Sequence, residues 1–197
     1  MGRQLCGAYP ASRGAPLKFG STPLPGVFTI EPELHCDERG FFGRTFCVSE
    51  FEYHELNSRT IQCSISFNRR RGTLRGMHYQ ISPREETKLV RCTRGAIYDV
   101  ALDLRRDSPT FRRWCSVELT AENHTMLYIP AGVAHGFQTL TDETEVFYQI
   151  SEFYEPSTAR GVRWNDPSFA IHWPIEDRII STRDAELPLF DDTGQSP

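Results

Sequence analysis

A chain of 197 residues with 39% hydrophobic and 24% charged content fits one ordinary globular domain with length enough for a full core. The net charge of -4 argues against nucleic acid as the main partner, because binding a phosphate backbone needs a basic surface. No apolar run is long enough to cross a bilayer as a helix, so a membrane role is not expected.

The N-terminus, "MGRQLCGAYPASRGAPLKFG", has no apolar core of signal-peptide type and lacks the Ser or Thr usual in a myristoylation signal. It reads as a flexible arm over residues 1–22, followed by a single domain over 23–188 and a short tail over 189–197. "SEFEYHELN" predicts one or two helical turns with Ser49 as N-cap and Glu52 three residues on. From Lys88 the chain turns to short strands. "KLVRC", "AIYDVALDLR", "RWCSVEL", "MLYIP", "GFQTL" and "TEVFYQIS" are rich in β-branched and aromatic residues, with turn signals between them. In "AIYDVALDLR", Ala96, Tyr98, Val100, Leu102 and Leu104 alternate with Ile97, Asp99, Ala101 and Asp103, which reads Asp99 and Asp103 as solvent-side residues. "RRR", Arg69 to Arg71, reads as a solvated turn, and the tail "RIISTRDAELPLF" holds another short turn. Regularly spaced short strands predict an all-β sandwich or barrel. The six cysteines form no CxxC pair, and without an export signal they read as free thiols in a reducing cytoplasm.

Two motifs narrow the barrel to a cupin-type jelly roll. Gly72, five residues and His78-Tyr79-Gln80, then Lys88, six residues and Gly95, follow the first cupin motif; "PAGVAH", Pro130 to His135, follows the second. Metal-binding cupins hold their ion with three histidines and a glutamate. Here Gln80 replaces one histidine and Lys88 replaces the glutamate, and an ammonium repels a dication, so no metal or other cofactor is expected. Taken one at a time, a strand histidine is more often a satisfied core residue than a catalyst. But His78, Lys88, Arg75 and His135 at matching motif positions suit an anion, or a carbanion in the making.

"RGTLRGMHYQ", "KLVRCTRGAIYDVALDLRRDSPTFRRW", "VELTAEN", "LYIPAGVAHGFQTL", "EVFYQ", "GVRWNDP" and "ISTRD" together resemble the dTDP-4-dehydrorhamnose 3,5-epimerases over most of the chain. The resemblance implies a homodimeric, metal-independent cupin that epimerises a nucleotide-diphosphate 4-keto-6-deoxyhexose. It makes His78 the general base, Asp184 the carboxylate that orients it, Tyr148 the acid on the opposite face of the sugar and Lys88 the cation near the keto oxygen. Arg39, Arg75 and His135 then match substrate- or phosphate-binding positions. The chemistry needs these types: an enolate oxygen needs a fixed cation, abstraction near neutrality suits histidine, and inversion needs a second group across the ring. Without the resemblance, Tyr148 is a core aromatic and Asp184 a surface cap.

Three departures fall on the nucleotide side. Phe153-Tyr154 replaces a usual Tyr pair. "QCSIS", with Gln62 and Ser64, replaces a usual "QDN". Arg44 stands where a glutamate usually follows "RGFF". An arginine at the base would suit cytosine's acceptor edge better than thymine's N3–H, so dTDP leads as the expected nucleotide with CDP behind it. A ketoisomerase and a non-catalytic sugar-nucleotide-binding cupin are the competing readings.

Overall fold

The computed structural model describes residues 16–191, and its body is two β-sheets laid face to face. One sheet runs β1 (Leu17–Ser21), β2 (Phe28–Pro32), β10 (Met126–Ile129), β7 (Lys88–Arg94), β12 (Thr144–Ile150) and β5 (Gln62–Asn68). The other runs β13 (Ala159–Gly161), β6 (Thr73–Gln80), β11 (Val133–Thr139), β8 (Ala96–Asp103) and β9 (Trp114–Thr120), with β14 (Ile179–Ile180) parallel to β6. A separate hairpin, β3 (His35–Asp37) with β4 (Gly40–Phe42), stands exposed on the surface. This is the expected all-β cupin jelly roll. No helix among the described residues is long and apolar enough to cross a membrane.

Three apolar layers follow from the two-residue period of the strands. Between the sheets lie Val90, Cys92, Ile97, Ala101, Leu127, Phe137 and Val146. Outside the second sheet, Leu74, Val100 and Leu102 pack against Phe169 and Trp173 of the C-terminal segment. Outside the first, Leu17, Ile30, Leu89 and Met126 pack against Phe51 of helix α1 (Val48–Tyr53). Phe51 is 1% exposed, a burial that contributes about 2–3 kcal/mol and docks an otherwise marginal six-residue helix.

Four expectations are corrected. Leu17–Ser21, assigned to the arm, pairs with β2 as an edge strand, because Leu17 has an apolar layer to enter. At the other end Phe190, assigned to the tail, packs against the second sheet's outer layer, and its N–H donates to Asp166. Helix α1 is capped by Cys47 rather than Ser49 and has no side-chain cap bond. Asp99 and Asp103 are both fully buried, because β8 is covered on both faces and has no solvent side. Asp103 accepts from Arg105, Ser108 and Thr110, which hold its carboxyl down at about 2 against the opposing effect of burial. The expected tail turn is present as helix α2 (Thr182–Ala185), capped by the Ser181 hydroxyl. Residues 1–15 of the arm and 192–197 of the tail lie outside the described segment. The five described cysteines are free, with Cys92 and Cys115 buried in the core.

Candidate active site

Antiparallel pairing of β6 with β11 sets His78 directly opposite His135, so both imidazoles leave the sheet on its inner face. The register breaks just beyond, between His135 and Phe137, where two glycines meet. A Cβ on Gly76, whose φ is +134°, would lie 2.5 Å from the Gly136 Cα. Only glycine permits that approach, and the irregularity it allows lies beside both histidines.

The facing sheet supplies the other wall. Lys88 pairs with Ile150, and Tyr148 with Val90 and Ser64, so Lys88, Tyr148, Ile150 and Ser64 share one side of neighbouring strands. With Arg75, His78, His135 and Phe137 they line an open cavity of about 270 Å³. A second cavity of about 360 Å³ adjoins it through the shared His78 and Arg75, and is lined by Gln62, Glu86, Tyr154, Arg160, Arg183 and Asp184.

Two imidazole–carboxylate pairs define the chemistry. His78 Nε2 lies 2.8 Å from Asp184 Oδ1, and the other carboxylate oxygen accepts from the Gly76 N–H at 3.3 Å. Burial acts to raise the Asp184 carboxyl, but the His78 hydrogen bond and charge, the Gly76 N–H and Arg183 outweigh it and hold the group below the usual carboxylate range. His135 Nε2 lies 2.7 Å from Asp99 Oδ1, in a pair with almost no solvent exposure. There burial wins: the Asp99 carboxyl is raised, against the pull of His135 and Lys88. An ionised Asp184 orients His78 through its Nε2–H and leaves Nδ1 with its lone pair, as a base requires.

Tyr148 stands edge-on to His135, ring centroids 6.0 Å apart. Burial, reinforced by the Asp99 charge and partly offset by Arg75, pushes its phenol far up, so the hydroxyl holds its proton through the neutral range. Lys88 donates to the His78 carbonyl at 3.1 Å and pairs with Glu86 at 2.8 Å. Arg75 donates to Asn68 at 2.8 Å. Gln80 spends its amide on the loop beyond, donating to the Arg84 and Phe153 carbonyls and accepting from the Glu155 N–H.

Of the sequence-predicted residues, His78, Tyr148, Asp184, Lys88, Arg75, His135, Gln62 and Ser64 line these two cavities. Arg39 and Arg44 do not join them within one chain. Arg39 sits on the exposed hairpin against Asp37, and Arg44 pairs with the buried Glu50, whose other oxygen accepts from the Leu17 N–H at 2.6 Å. Of Phe153 and Tyr154, it is Tyr154 that lines a cavity, with its hydroxyl 3.5 Å from Arg183. Sequence reasoning passed over Asp99, Glu86, Arg160 and Arg183. The two-sided burial of β8 was the signal for Asp99, and the two-residue spacing from Lys88 was the signal for Glu86.

A family model described as dTDP-4-dehydrorhamnose 3,5-epimerase matches residues 21–192. The dTDP-4-dehydrorhamnose 3,5-epimerase of Shigella flexneri is 42% identical over 173 residues, which span 87% of this chain and 94% of that one. The structure of the dTDP-4-dehydrorhamnose 3,5-epimerase from Bacillus anthracis, with TDP and PPi bound, superposes with a TM-score of 0.86 at 40% identity, covering 89% of this chain and 100% of that one. A 3'-monoepimerase from Streptomyces bikiniensis, in complex with dTDP-quinovose, is similar with a TM-score of 0.80 at 34% identity, covering 86% of each chain.

Proposed function

The chain belongs to the dTDP-4-dehydrorhamnose 3,5-epimerase family of isomerases, and on that premise we propose that it inverts C3, C5 or both of a dTDP-linked 4-keto-6-deoxyhexose, with His78 as the base. The observation that carries the reading is the His78–Asp184 pair at 2.8 Å, opening into a cavity that also holds Lys88 and Tyr148.

The C–H beside the C4 ketone gives its proton to His78 Nδ1, and electron density moves onto the C4 oxygen as an enolate. Asp184 stabilises the imidazolium that forms. Lys88 meets the developing charge on the oxygen. Tyr148, across the cavity, returns a proton to the opposite face, and the inverted centre results. Arg75, Arg160 and Arg183 supply cationic groups for the diphosphate, and Gln62 and Ser64 line the approach. A binding module has no use for an oriented base facing a protonated phenol.

The ligands bound to relatives, TDP and dTDP-quinovose, support dTDP as the nucleotide. The ion pair of Arg44 with Glu50 supports the same reading, because an arginine neutralised there is not offered to a cytosine. The active unit is a homodimer in which the β3–β4 hairpin brings Arg39 to the partner. Phe41 and Phe42 on that hairpin and Ile65 and Phe67 on β5 support it, since all four are 45–74% exposed apolar side chains of the kind a second copy would cover.

Incubation with the 4-keto-6-deoxy sugar nucleotide in deuterated water, followed by NMR, tests the assignment. Deuterium is expected at C3, C5 or both, and none with His78→Asn. Exchange at the wild-type rate in His78→Asn would refute the base, and a monomer by light scattering at working concentration would refute the dimer.

A further inference from the structure

Next to the two proposed proton-transfer groups, a third ion pair occupies the cavity wall. Lys88 Nζ lies 2.8 Å from Glu86 Oε1, and both side chains are 10% exposed. The same ammonium donates to the His78 carbonyl at 3.1 Å. An ammonium has three N–H donors. Two are taken, which leaves one for the cavity.

The backbone holds this arrangement. Glu86 and Lys88 flank Thr87, so in extended chain they leave on the same side. Thr87 is buried and both its backbone groups are tied to one residue: its N–H donates to the Ser151 hydroxyl at 2.8 Å, and its carbonyl accepts from the Ser151 N–H at 3.1 Å. Glu86 lines the larger cavity and Lys88 the inner one, so the pair sits where the two meet. A carboxylate there repels a diphosphate, which makes it a poor choice for holding the substrate's anionic end. Among the described residues, its partner is the one cation that the facing sheet sets on the inner wall, opposite His135.

We propose that Glu86 is the positioning residue for the enolate-stabilising ammonium: it holds Lys88 in the cavity wall and directs its remaining N–H at the C4 oxygen of the sugar. The inference rests on the role assigned to Lys88 above. Lys88 also faces His78 on β6, His135 on β11 and Tyr148 on β12, and it feels the charge of Asp99 on β8. Asp99 is already engaged with His135, so Glu86 is the carboxylate bonded to Lys88 directly.

Glu86→Gln keeps the shape and an acceptor oxygen but removes the charge. The expected result is a fall in kcat of about tenfold or more, since a charge-assisted bond is lost from the group that meets the transition state, with KM within about twofold. A merely structural loss would lower the melting temperature and raise KM along with the fall in kcat; here melting and KM stay near wild type. Glu86→Asp keeps the charge but shortens the reach, so kcat falls less than in Glu86→Gln; wild-type kcat there would overturn the directing role even if Glu86→Gln did not fold. Wild-type kcat in Glu86→Gln, with Lys88→Met inactive, would overturn the inference and leave Lys88 its role. Full activity in Lys88→Met would remove that role, and Glu86 with it.

Discussion

Asp184→Asn is the sharpest test of the proposed base, because it changes one atom and leaves the contacts in place. The asparagine carbonyl can still accept from the Gly76 N–H, and the Ser181 cap on α2 is untouched. What goes is the charge beside His78. Two unit charges about 4 Å apart at an effective dielectric near 20 interact by about 4 kcal/mol. The His78 side chain is 42% exposed, so roughly half of that, ~2 kcal/mol, measures the lost stabilisation of the imidazolium, or about thirtyfold in rate. A second effect adds to it. The asparagine N–H₂ turned to His78 makes Nε2 an acceptor, drives the ring proton to Nδ1 and removes the lone pair the substrate needs. In hydrolase triads that reversal costs about 10⁴-fold with a fully buried carboxylate. The expected loss here is about 30-fold to 10³-fold, read as the rate of deuterium entry at the substrate carbon under saturating conditions. A fall of less than about threefold in a variant with wild-type melting would refute the orienting role. The pH dependence has a fixed sign. The Asp184 carboxyl is held below its usual range, so the contribution of the pair is present above that range and fades as the pH falls through the lowered value.

Tyr148→Phe is expected to slow inversion more than proton loss, leaving exchange with the original configuration; equal loss of both, by NMR, would move the donor elsewhere. Asp103→Asn is expected to cost about 2 kcal/mol in urea unfolding at neutral pH, from a carboxyl lowered to about 2 and a side chain with 0% exposure, the difference from wild type shrinking as the pH falls from the ordinary carboxylate value towards 2. Arg44→Ala strands the Glu50 carboxylate, whose side chain is 4% exposed, and is expected to lower stability by about 3 kcal/mol while leaving the preference for dTDP over CDP unchanged by calorimetry. A switch to CDP or UDP in that variant would return Arg44 to the base.

The parts of this molecule legible in the sequence are those written in local spacing. The strands from Lys88 to Ile150 follow their two-residue period closely, and His78, Lys88 and His135 were found through motif positions that fix which face they leave by. Asp184 and Tyr148 needed resemblance, because nothing near "STRD" or "EVFYQ" says what lies opposite. The misreadings share one cause. Alternation tells that a strand has two faces but not whether both are covered. Asp99 and Asp103 leave β8 with Ile97 and Ala101 towards the space between the sheets, while Phe169 and Trp173 cover Val100 and Leu102 on the other face, so no face is left for solvent. Arg44 was read from its position in a motif, while the tertiary partner that claims it, Glu50, sits on a helix whose docking no local pattern announces.

The pairing of His78 with Asp184 joins positions 106 residues apart in the chain. Every barrel strand from β1 to β13 ends by Gly161, and only then come β14 and α2, which carry Asp184 to the cavity. During synthesis, therefore, every barrel strand has been polymerised before the carboxylate proposed to orient the base exists. The segment between Gly161 and Asp184 also carries Phe169 and Trp173, which cover the outer face of the sheet that holds His78. Arg183 and Asp184 are neighbours on α2, so the cation proposed for the diphosphate and the carboxylate proposed to aim the base reach the cavity together, and a clipped C-terminus removes both at once.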